Sequence, residues 1–261
     1  MIEVSHLSKS YGSRPAVQDL SFTVPDGQIY GLLGPNGAGK STIMNILTGY
    51  LAPTEGEVKV AGFRLPEQAQ QAKACLGYLP EQPPLYPEMT VQEYLDFAAE
   101  LKGVKKKAER KEQVLRAARR TGLENVLPRL IRSLSKGYKQ RVGIAQALLG
   151  SPRLIILDEP ETGLDFHNQI LVLNLVERLA HESGISAIMN THYPTNAMSV
   201  ADEALMLNRK GEFFYGPAAE ILNEKNISYS FDVQVLVDEL HYQGRSVRSI
   251  VPVGLREETA V

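Results

Sequence analysis

The nine residues GPNGAGKST, at positions 34–42, follow the apolar run QIYGLL and lead into the segment STIMNILTGY. A glycine-rich loop lets successive backbone N–H groups turn inward around phosphate oxygens, because glycine has no Cβ to block the turn. A helix that begins there points its positive N-terminal end at the same anion. This stretch therefore constrains the fold to a strand–loop–helix unit and predicts a phosphate-binding loop.

The residue types in the loop have separate chemical roles. Lys40 can place a positive charge on the outer phosphates, and the Ser41 hydroxyl can ligate Mg²⁺. A flexible surface turn with an accidental lysine is the alternative, but the strand before and the helix after are the context that the motif demands. The residues predicted to bind the nucleotide from this loop are Gly34, Asn36, Gly37, Gly39, Lys40, Ser41 and Thr42.

A second apolar run ends in acidic residues, in LIILDEP. Strand ends of open α/β sheets present ligand-binding groups, and nucleotide hydrolysis requires a carboxylate for Mg²⁺ and a group that polarises water. We expect Asp158 to serve the metal and Glu159, one residue further on, to act as the general base. A polar turn at the end of a strand is the alternative.

The segment LSKGYKQRVGIAQALL, at positions 134–149, contains a further anion-binding pattern. A Ser-x-Gly step that opens a helix leaves the Ser135 hydroxyl and the Gly137 N–H free to donate. One nucleotide seldom needs two such cradles from one chain. This redundancy is the informative feature of the segment.

The order of apolar patterns predicts an α/β fold. Short β-rich runs occupy the first part, helical spacing takes over from Met89 to Gly150, and strand, helix and strand then alternate. This order predicts a mostly parallel sheet with an antiparallel β part and a helical insertion at about 85–150. We assign an ATPase domain to 1–222 and, from the alternation in FDVQVLV and SVRSIVPV, a small β appendage to 223–261.

Composition excludes several classes of protein. The net charge of −2 predicts no nucleic-acid partner, and the single Cys75 fits a reducing compartment. The basic run KGVKKKAERKEQ is interrupted by acidic residues and is interpreted as a solvated helix face. No apolar stretch has the roughly 20 residues of a membrane-spanning helix, so a membrane role requires a partner.

Together these motifs resemble the ATP-binding subunit of an ABC transporter, over about Ile2 to Pro217. GPNGAGKST corresponds to the Walker A loop, LIILDEP to Walker B, and LSKGYKQ to the family signature. TGLD, which contains Asp165, corresponds to the D-loop, although Asp165 fits equally a helix N-cap. His192, in MNTHYP, matches the switch histidine, and Tyr11 occupies the position that stacks on adenine.

The resemblance implies ATP and Mg²⁺ as cofactors and a dimer as the working unit. In that family two such domains, identical in a homodimer or different in a heterodimer, pack head to tail, so that Ser135 and Gly137 would bind the γ-phosphate held by the Walker A lysine of the second domain, Lys40 in a homodimer. It also implies an integral membrane permease as partner and a cytoplasmic location on the inner face of the membrane. ATP would close the pair, and hydrolysis would open it.

Three positions depart from the family pattern. The loop that usually offers a glutamine to Mg²⁺ reads YLPEQPP, so that Gln82 is the candidate metal ligand and Glu81 its rival. Lys136 adds a positive charge to the signature. Glu161 stands where threonine is usual, and the sequence predicts no consequence for it.

The transported substrate and its direction are not encoded in these motifs. The helical insertion resembles subunits of exporters, whereas the segment after the D-loop and the tail resemble energisers of metal-chelate importers, and we favour export. A binding module without turnover would lack Glu159. A DNA-repair ATPase would carry a long coiled-coil insertion, and a translation factor two cassettes. A non-transport regulator with one cassette remains open.

Overall fold

The computed structural model describes residues 2–256, in which the strands form three sheets. The strands are β1 (Ile2–Tyr11), β2 (Arg14–Val24), β3 (Ile29–Leu33), β4 (Glu55–Val60), β5 (Phe63–Leu65), β6 (Leu76–Leu79), β7 (Leu154–Asp158), β8 (Ser186–Thr191), β9 (Glu203–Leu207), β10 (Phe213–Pro217), β11 (Val233–Tyr242) and β12 (Arg245–Leu255). The helices are α1 (Lys40–Leu47), α2 (Ala69–Cys75), α3 (Val91–Leu101), α4 (Lys107–Thr121), α5 (Lys136–Ala147), α6 (Phe166–His181), α7 (Pro194–Val200), α8 (Ala218–Ile221) and α9 (Glu224–Phe231).

The central sheet is six-stranded, in the order β10-β9-β3-β8-β7-β6. All its neighbouring strands are parallel except β10, which pairs antiparallel with β9. β3 is buried along its whole length, as expected of a parallel strand covered on both faces. The predicted α/β class with a mostly parallel sheet is confirmed. Because β3, β7 and β8 are neighbours, the residues after their carboxyl ends meet at one edge.

The other two parts of the prediction are also present. An antiparallel sheet in the order β2-β1-β4-β5 packs its apolar side chains over α1 in one core cluster with the central sheet. Helices α3, α4 and α5 form the insertion between β6 and β7, around a second core cluster. The start of α3 is fixed by a capping box, in which the Thr90 hydroxyl accepts from Glu93 N and the Glu93 carboxylate accepts from Thr90 N.

The segment predicted as a β appendage, 223–261, begins with a helix. Asn223 caps α9 by accepting from Asn226 N at 2.9 Å, and Ile227 is buried against the central sheet. Only then do β11 and β12 form an antiparallel hairpin, which packs on α9 through Val235. Residues 257–261, the end of the predicted appendage, lie outside the described residues.

Within residues 2–256, no helix is both long enough and apolar enough to cross a bilayer.

Candidate functional site

The loop between β3 and α1 is held open by a left-handed glycine. Gly39 has φ of +97°, and a Cβ added there would lie 2.4 Å from the carbonyl oxygen of Ala16. Only glycine therefore fits this approach of two backbones. Gly39 is also the N-cap of α1 and offers no side-chain hydrogen bond. The first N–H groups of α1 are left for an anion.

Lys40 spans this loop from within. Its side chain is buried, and Nζ donates to the carbonyl oxygens of Gly34 at 2.6 Å and Pro35 at 3.2 Å. Burial lowers the pKa of Lys40, while the nearby carboxylates of Glu159 and Asp158 oppose that shift. The two hydrogen bonds thus hold the Lys40 amine at the centre of the loop.

The acidic pair lies at the carboxyl end of β7. Asp158 is paired in register with Asn190 of β8, whose Nδ2 donates to Asp158 Oδ1 at 2.5 Å. Burial raises the pKa of Asp158, and this hydrogen bond from Asn190 opposes the rise. Glu159 leaves the strand with φ of +47°, and its N–H donates to the carbonyl oxygen of Asn190 at 2.9 Å. Asp158 therefore lies within the β7–β8 ladder, whereas the adjacent Glu159 has a left-handed backbone conformation.

His192 reaches the same point from β8. Its Nδ1 lies 3.1 Å from Glu159 Oε1, without the angle of a hydrogen bond. The other carboxylate oxygen of Glu159 accepts from the Thr162 hydroxyl at 3.0 Å. Two of the residues predicted for catalysis, 30 or more positions apart in the chain, are thus brought into contact.

These elements enclose a cleft of about 550 Å³, within the usual size of ligand sites. Tyr11 stands at its rim with half of its surface exposed. Of the predicted site residues, the cleft is lined by Tyr11, Asn36, Gly37, Gly39, Lys40, Ser41, Thr42, Asp158 and Glu159. Gly34 is buried directly behind the loop.

Basic residues that the sequence analysis did not identify also line the cleft. They are Arg14, Arg209 and Lys210, and Arg209 Nε donates to the carbonyl oxygen of Asn36 at 3.4 Å. Arg209 and Lys210 follow β9, a neighbour of β3 in the parallel sheet. The rule applied to Asp158, that ligand groups follow parallel strands, could have found them.

Of the two candidate metal ligands in the loop after β6, both of which are exposed, Glu81 is among the residues that line the cleft and Gln82 is not. The position beside the cleft belongs to Glu81.

The signature and D-loop residues lie elsewhere. Ser135, Gly137 and Asp165 are not among the residues that line this cleft. Ser135 caps α5 by accepting from Tyr138 N at 3.4 Å, and Asp165 caps α6 by accepting from Asn168 N at 2.8 Å. The structure thus joins the Walker A loop, the acidic pair and His192, and leaves the second cradle apart from them.

The cleft fits a nucleotide with its metal. The unsatisfied N–H groups of α1 and the Lys40 charge suit phosphate, and the Ser41 hydroxyl with the Asp158 carboxylate supplies oxygen ligands of the kind that Mg²⁺ prefers. Within residues 2–256 no group of three or more His, Cys, Asp or Glu side chains could hold a metal.

The family model of the ABC transporter matches residues 17–162, which is more than half of the chain. The chain belongs to the ABC transporter family.

Its curated relatives are ATP-binding subunits. The uncharacterized ABC transporter ATP-binding protein YxlF of Bacillus subtilis is 34% identical over 90% of this chain and 77% of that protein. The Nod factor export ATP-binding protein I of Rhizobium etli is 36% identical over 85% and 70%. The taurine import ATP-binding protein TauB of Shigella dysenteriae is 34% identical over 80% of each chain.

Solved structures agree with the family. A metal-chelate type ABC transporter in an inward-facing conformation is similar with a TM-score of 0.85 and 27% identity, over 97% of both chains. CbiO1 of Clostridium perfringens, part of the cbiONQ transporter complex, has a TM-score of 0.79 and 26% identity over 87% of this chain and 92% of that chain. The dimeric cassette MJ0796 with ADP and phosphate has a TM-score of 0.73 and 26% identity over 84% and 99%. This chain is therefore an ATP-binding subunit of ABC type.

Proposed function

We propose that this chain hydrolyses ATP to drive transport through a separate permease, by closure of a dimer of cassettes. The observation that carries the proposal is the contact of Glu159, which lines the cleft together with Lys40, with His192, whose Nδ1 lies 3.1 Å from Glu159 Oε1. A module that only bound nucleotide would not need a carboxylate and a histidine at the outer phosphate.

The roles follow from this geometry. Lys40 and the α1 N-terminus bind the phosphates, and Tyr11 stacks on the base. Ser41 and Asp158 would hold Mg²⁺, with Glu81 as a further candidate ligand, and the ion would neutralise phosphate charge. Glu159 accepts a proton from the attacking water, and His192 orients Glu159 and senses the outer phosphate.

Dimer closure is supported by the position of the second cradle. Ser135 and Gly137 are not part of the cleft that Lys40 lines, so one copy alone offers a bound nucleotide one half of its phosphate contacts. A head-to-tail pair would complete both clefts, with Asp165 at the same junction. The dimeric state of MJ0796 with ADP and phosphate is consistent with this arrangement.

A groove at the junction of α3, β6 and α1 is the proposed permease site. It has a volume of about 450 Å³, and Tyr50, at its edge, is 72% exposed. The segment Leu85–Phe97 adjoins it, with Tyr86 packed edge-on against Phe97 at 5.7 Å. Closure would move this segment and pass force to the permease. We place the chain in the cytoplasm, on the inner face of the membrane.

We propose export as the direction, supported by the Nod factor export relative. Import of a metal chelate is a second candidate. It is favoured by the similarity to a metal-chelate type transporter over 97% of both chains, which includes the C-terminal hairpin. Uptake of a radioactive iron or cobalt chelate by cells distinguishes import from export. Loss of uptake in cells that carry only Glu159→Gln supports import and contradicts export.

The decisive experiment on turnover is Glu159→Gln. We expect ATPase activity to fall by roughly 10²- to 10⁴-fold, because the base is lost, while ATP binding persists and a long-lived dimer accumulates. Steady-state phosphate release and light scattering after gel filtration measure both. Glu177→Gln, an exposed glutamate of α6, is the matched control. Unchanged turnover in Glu159→Gln would refute the assigned base.

A further inference from the structure

Glu161 is a fully buried carboxylate that the proposed mechanism does not use. It lies in the turn between β7 and α6, two residues after Glu159, and its relative exposure is 0%. Turn residues are usually exposed, and a glutamate is almost never fully buried unless it is paired. The residue that pairs with Glu161 therefore indicates what the buried carboxylate does.

The partner is Thr191, at the end of β8. The Thr191 hydroxyl donates to Glu161 Oε1 and accepts from the backbone N–H of Tyr193 at 3.0 Å. This chain of hydrogen bonds spans His192, which lies between the two residues it connects. Glu161 Oε2 is buried with no hydrogen bond of standard geometry, although the Asn196 side chain lies near enough to affect the carboxyl. The hydrogen bond that the Glu161 carboxylate makes thus joins it to the segment that carries His192.

The contact extends the pairing of two chain segments past the end of the sheet. The β7–β8 ladder ends at Asp158 and Asn190, and one further backbone hydrogen bond follows, from Glu159 N to Asn190 O. Beyond that point no strand pairing fixes His192 against Glu159. The Glu161–Thr191 hydrogen bond is the side-chain tie that follows where the ladder stops.

We propose that Glu161 is a positioning residue that holds His192 beside Glu159 through the hydroxyl of Thr191. The inference rests on the proposed function for its kinetic consequence, and it requires an acceptor at position 161, not a charge. Burial raises the pKa of the Glu161 carboxyl, and the hydrogen bond from Thr191 opposes the rise. An apolar filler of the same size would keep the packing and lose the tie.

The test uses pairs of side chains of similar volume. Glu161→Gln keeps an acceptor and Glu161→Met does not; Thr191→Ser keeps a hydroxyl and Thr191→Val does not. We expect kcat for ATP to fall about tenfold or more in Glu161→Met and Thr191→Val, with ATP affinity within about twofold, because Lys40 and the loop are untouched. Glu161→Gln and Thr191→Ser should stay within about twofold of wild type. The double variant Glu161→Met/Thr191→Val should fall no further than either single variant.

A second measurement needs no turnover. Hydrogen exchange of the Tyr193 amide should accelerate about tenfold in Glu161→Met and Thr191→Val, because its acceptor is released. Wild type and Glu159→Gln, assayed together, test the proposed function separately. Unchanged kcat or unchanged Tyr193 exchange in both apolar variants overturns the inference, as do losses that multiply in the double variant. Equal losses of kcat and ATP affinity also overturn it, since they indicate a merely structural role.

Discussion

The two helix N-termini that carry glycine-rich motifs differ in how completely their own chain satisfies them. At α1 the N-cap is Gly39, which contributes no side-chain hydrogen bond, and the interior of the loop is filled by Lys40. At α5 the N-cap is Ser135, whose hydroxyl already accepts from Tyr138 N. The first N–H groups of α1 are therefore left for solvent or a ligand, whereas α5 has a side-chain cap of its own.

This difference predicts that the N-terminus of α1 serves nucleotide binding and that the N-terminus of α5 serves closure of the dimer. The uncapped terminus lies in a cleft with basic residues and the acidic pair, so it can bind a nucleotide in a single copy. The capped terminus is exposed at Ser135, and in the proposed dimer it would add its contacts when another copy brings a phosphate to it. Variants at the first terminus should therefore act on affinity, and variants at the second on dimerisation. The following predictions are ordered by the expected size of the effect.

Ser135→Arg should abolish ATP-induced dimers while each copy still binds ATP. The long charged side chain occupies the space that a partner's phosphate must enter, and it is remote from the cleft of its own chain. Light scattering after gel filtration in the Glu159→Gln background measures the dimer, and fluorescent ATP titration measures binding. Ser133→Arg, exposed two residues earlier, is the control and should still dimerise. Dimers formed by Ser135→Arg would contradict the role of the second cradle.

Lys40→Ala should weaken ATP binding by at least about 100-fold. Two charge-assisted hydrogen bonds to phosphate oxygens are worth about 1.5–3 kcal/mol each, and every 1.4 kcal/mol is tenfold in affinity. Lys102→Ala is a matched control, because Lys102 also donates to a backbone carbonyl, that of Leu76 at 2.8 Å, and its pKa is also lowered by burial. If both variants lose ATP affinity equally, the loss in Lys40→Ala reflects damage to the fold and not lost contacts with phosphate.

Contiguous motifs could be predicted from the sequence because each is a local unit. The glycines of the loop at 34–42 set its backbone conformation, and the continuously apolar run at β7 indicates a buried strand. These two patterns are enough to predict the parallel sheet and the sites at its edge. What needed the structure was pairing across the chain. The contacts of His192 with Glu159 and of Thr191 with Glu161 join the ends of separate strands, and no local signal reports their register.

One departure from the predicted secondary structure has a local physical cause. The alternation in FDVQVLV predicts a β appendage from residue 223 onward and is stronger than the short amphipathic pattern of α9 before it; the Asn223 cap is the local signal that marks the helix. The sequence predicts no role for Glu161, because its burial depends on β8 and α7, which surround it only in the folded chain.

Tyr11→Ala should weaken ATP binding by roughly 5- to 150-fold, from about 1–3 kcal/mol of stacking on the base. Tyr11→Phe should retain most of the affinity, because the ring and not the hydroxyl makes the contact. The same fluorescent titration measures both. Tyr50→Ala, which removes a more exposed ring outside the cleft, is the control. If both alanine variants bind ATP as the wild type does, the base does not stack on Tyr11.

Gly137→Ala and Gly39→Ala compare the two termini through the same added methyl group. At Gly137 the new Cβ would lie 2.3 Å from Asn168 Oδ1, an atom of a side chain that can move. Moving it breaks the hydrogen bonds from Asn168 Nδ2 to both carboxylate oxygens of Asp165, each 3.0 Å long. We expect a loss of about 1 kcal/mol of unfolding free energy, or roughly 2–4 °C in Tm, with ATP affinity unchanged.

Adding Asn168→Ala should relieve the strain at Gly137, because the obstacle is then gone while the backbone N–H of residue 168 still donates to Asp165. No such rescue exists for Gly39→Ala, since its obstacle is the main-chain carbonyl of Ala16 and its φ of +97° disfavours any Cβ. Calorimetry on the single and double variants measures the contrast. A Gly39→Ala protein as stable as Gly137→Ala, with ATP affinity intact, would show that the first terminus does not depend on the close backbone approach described above.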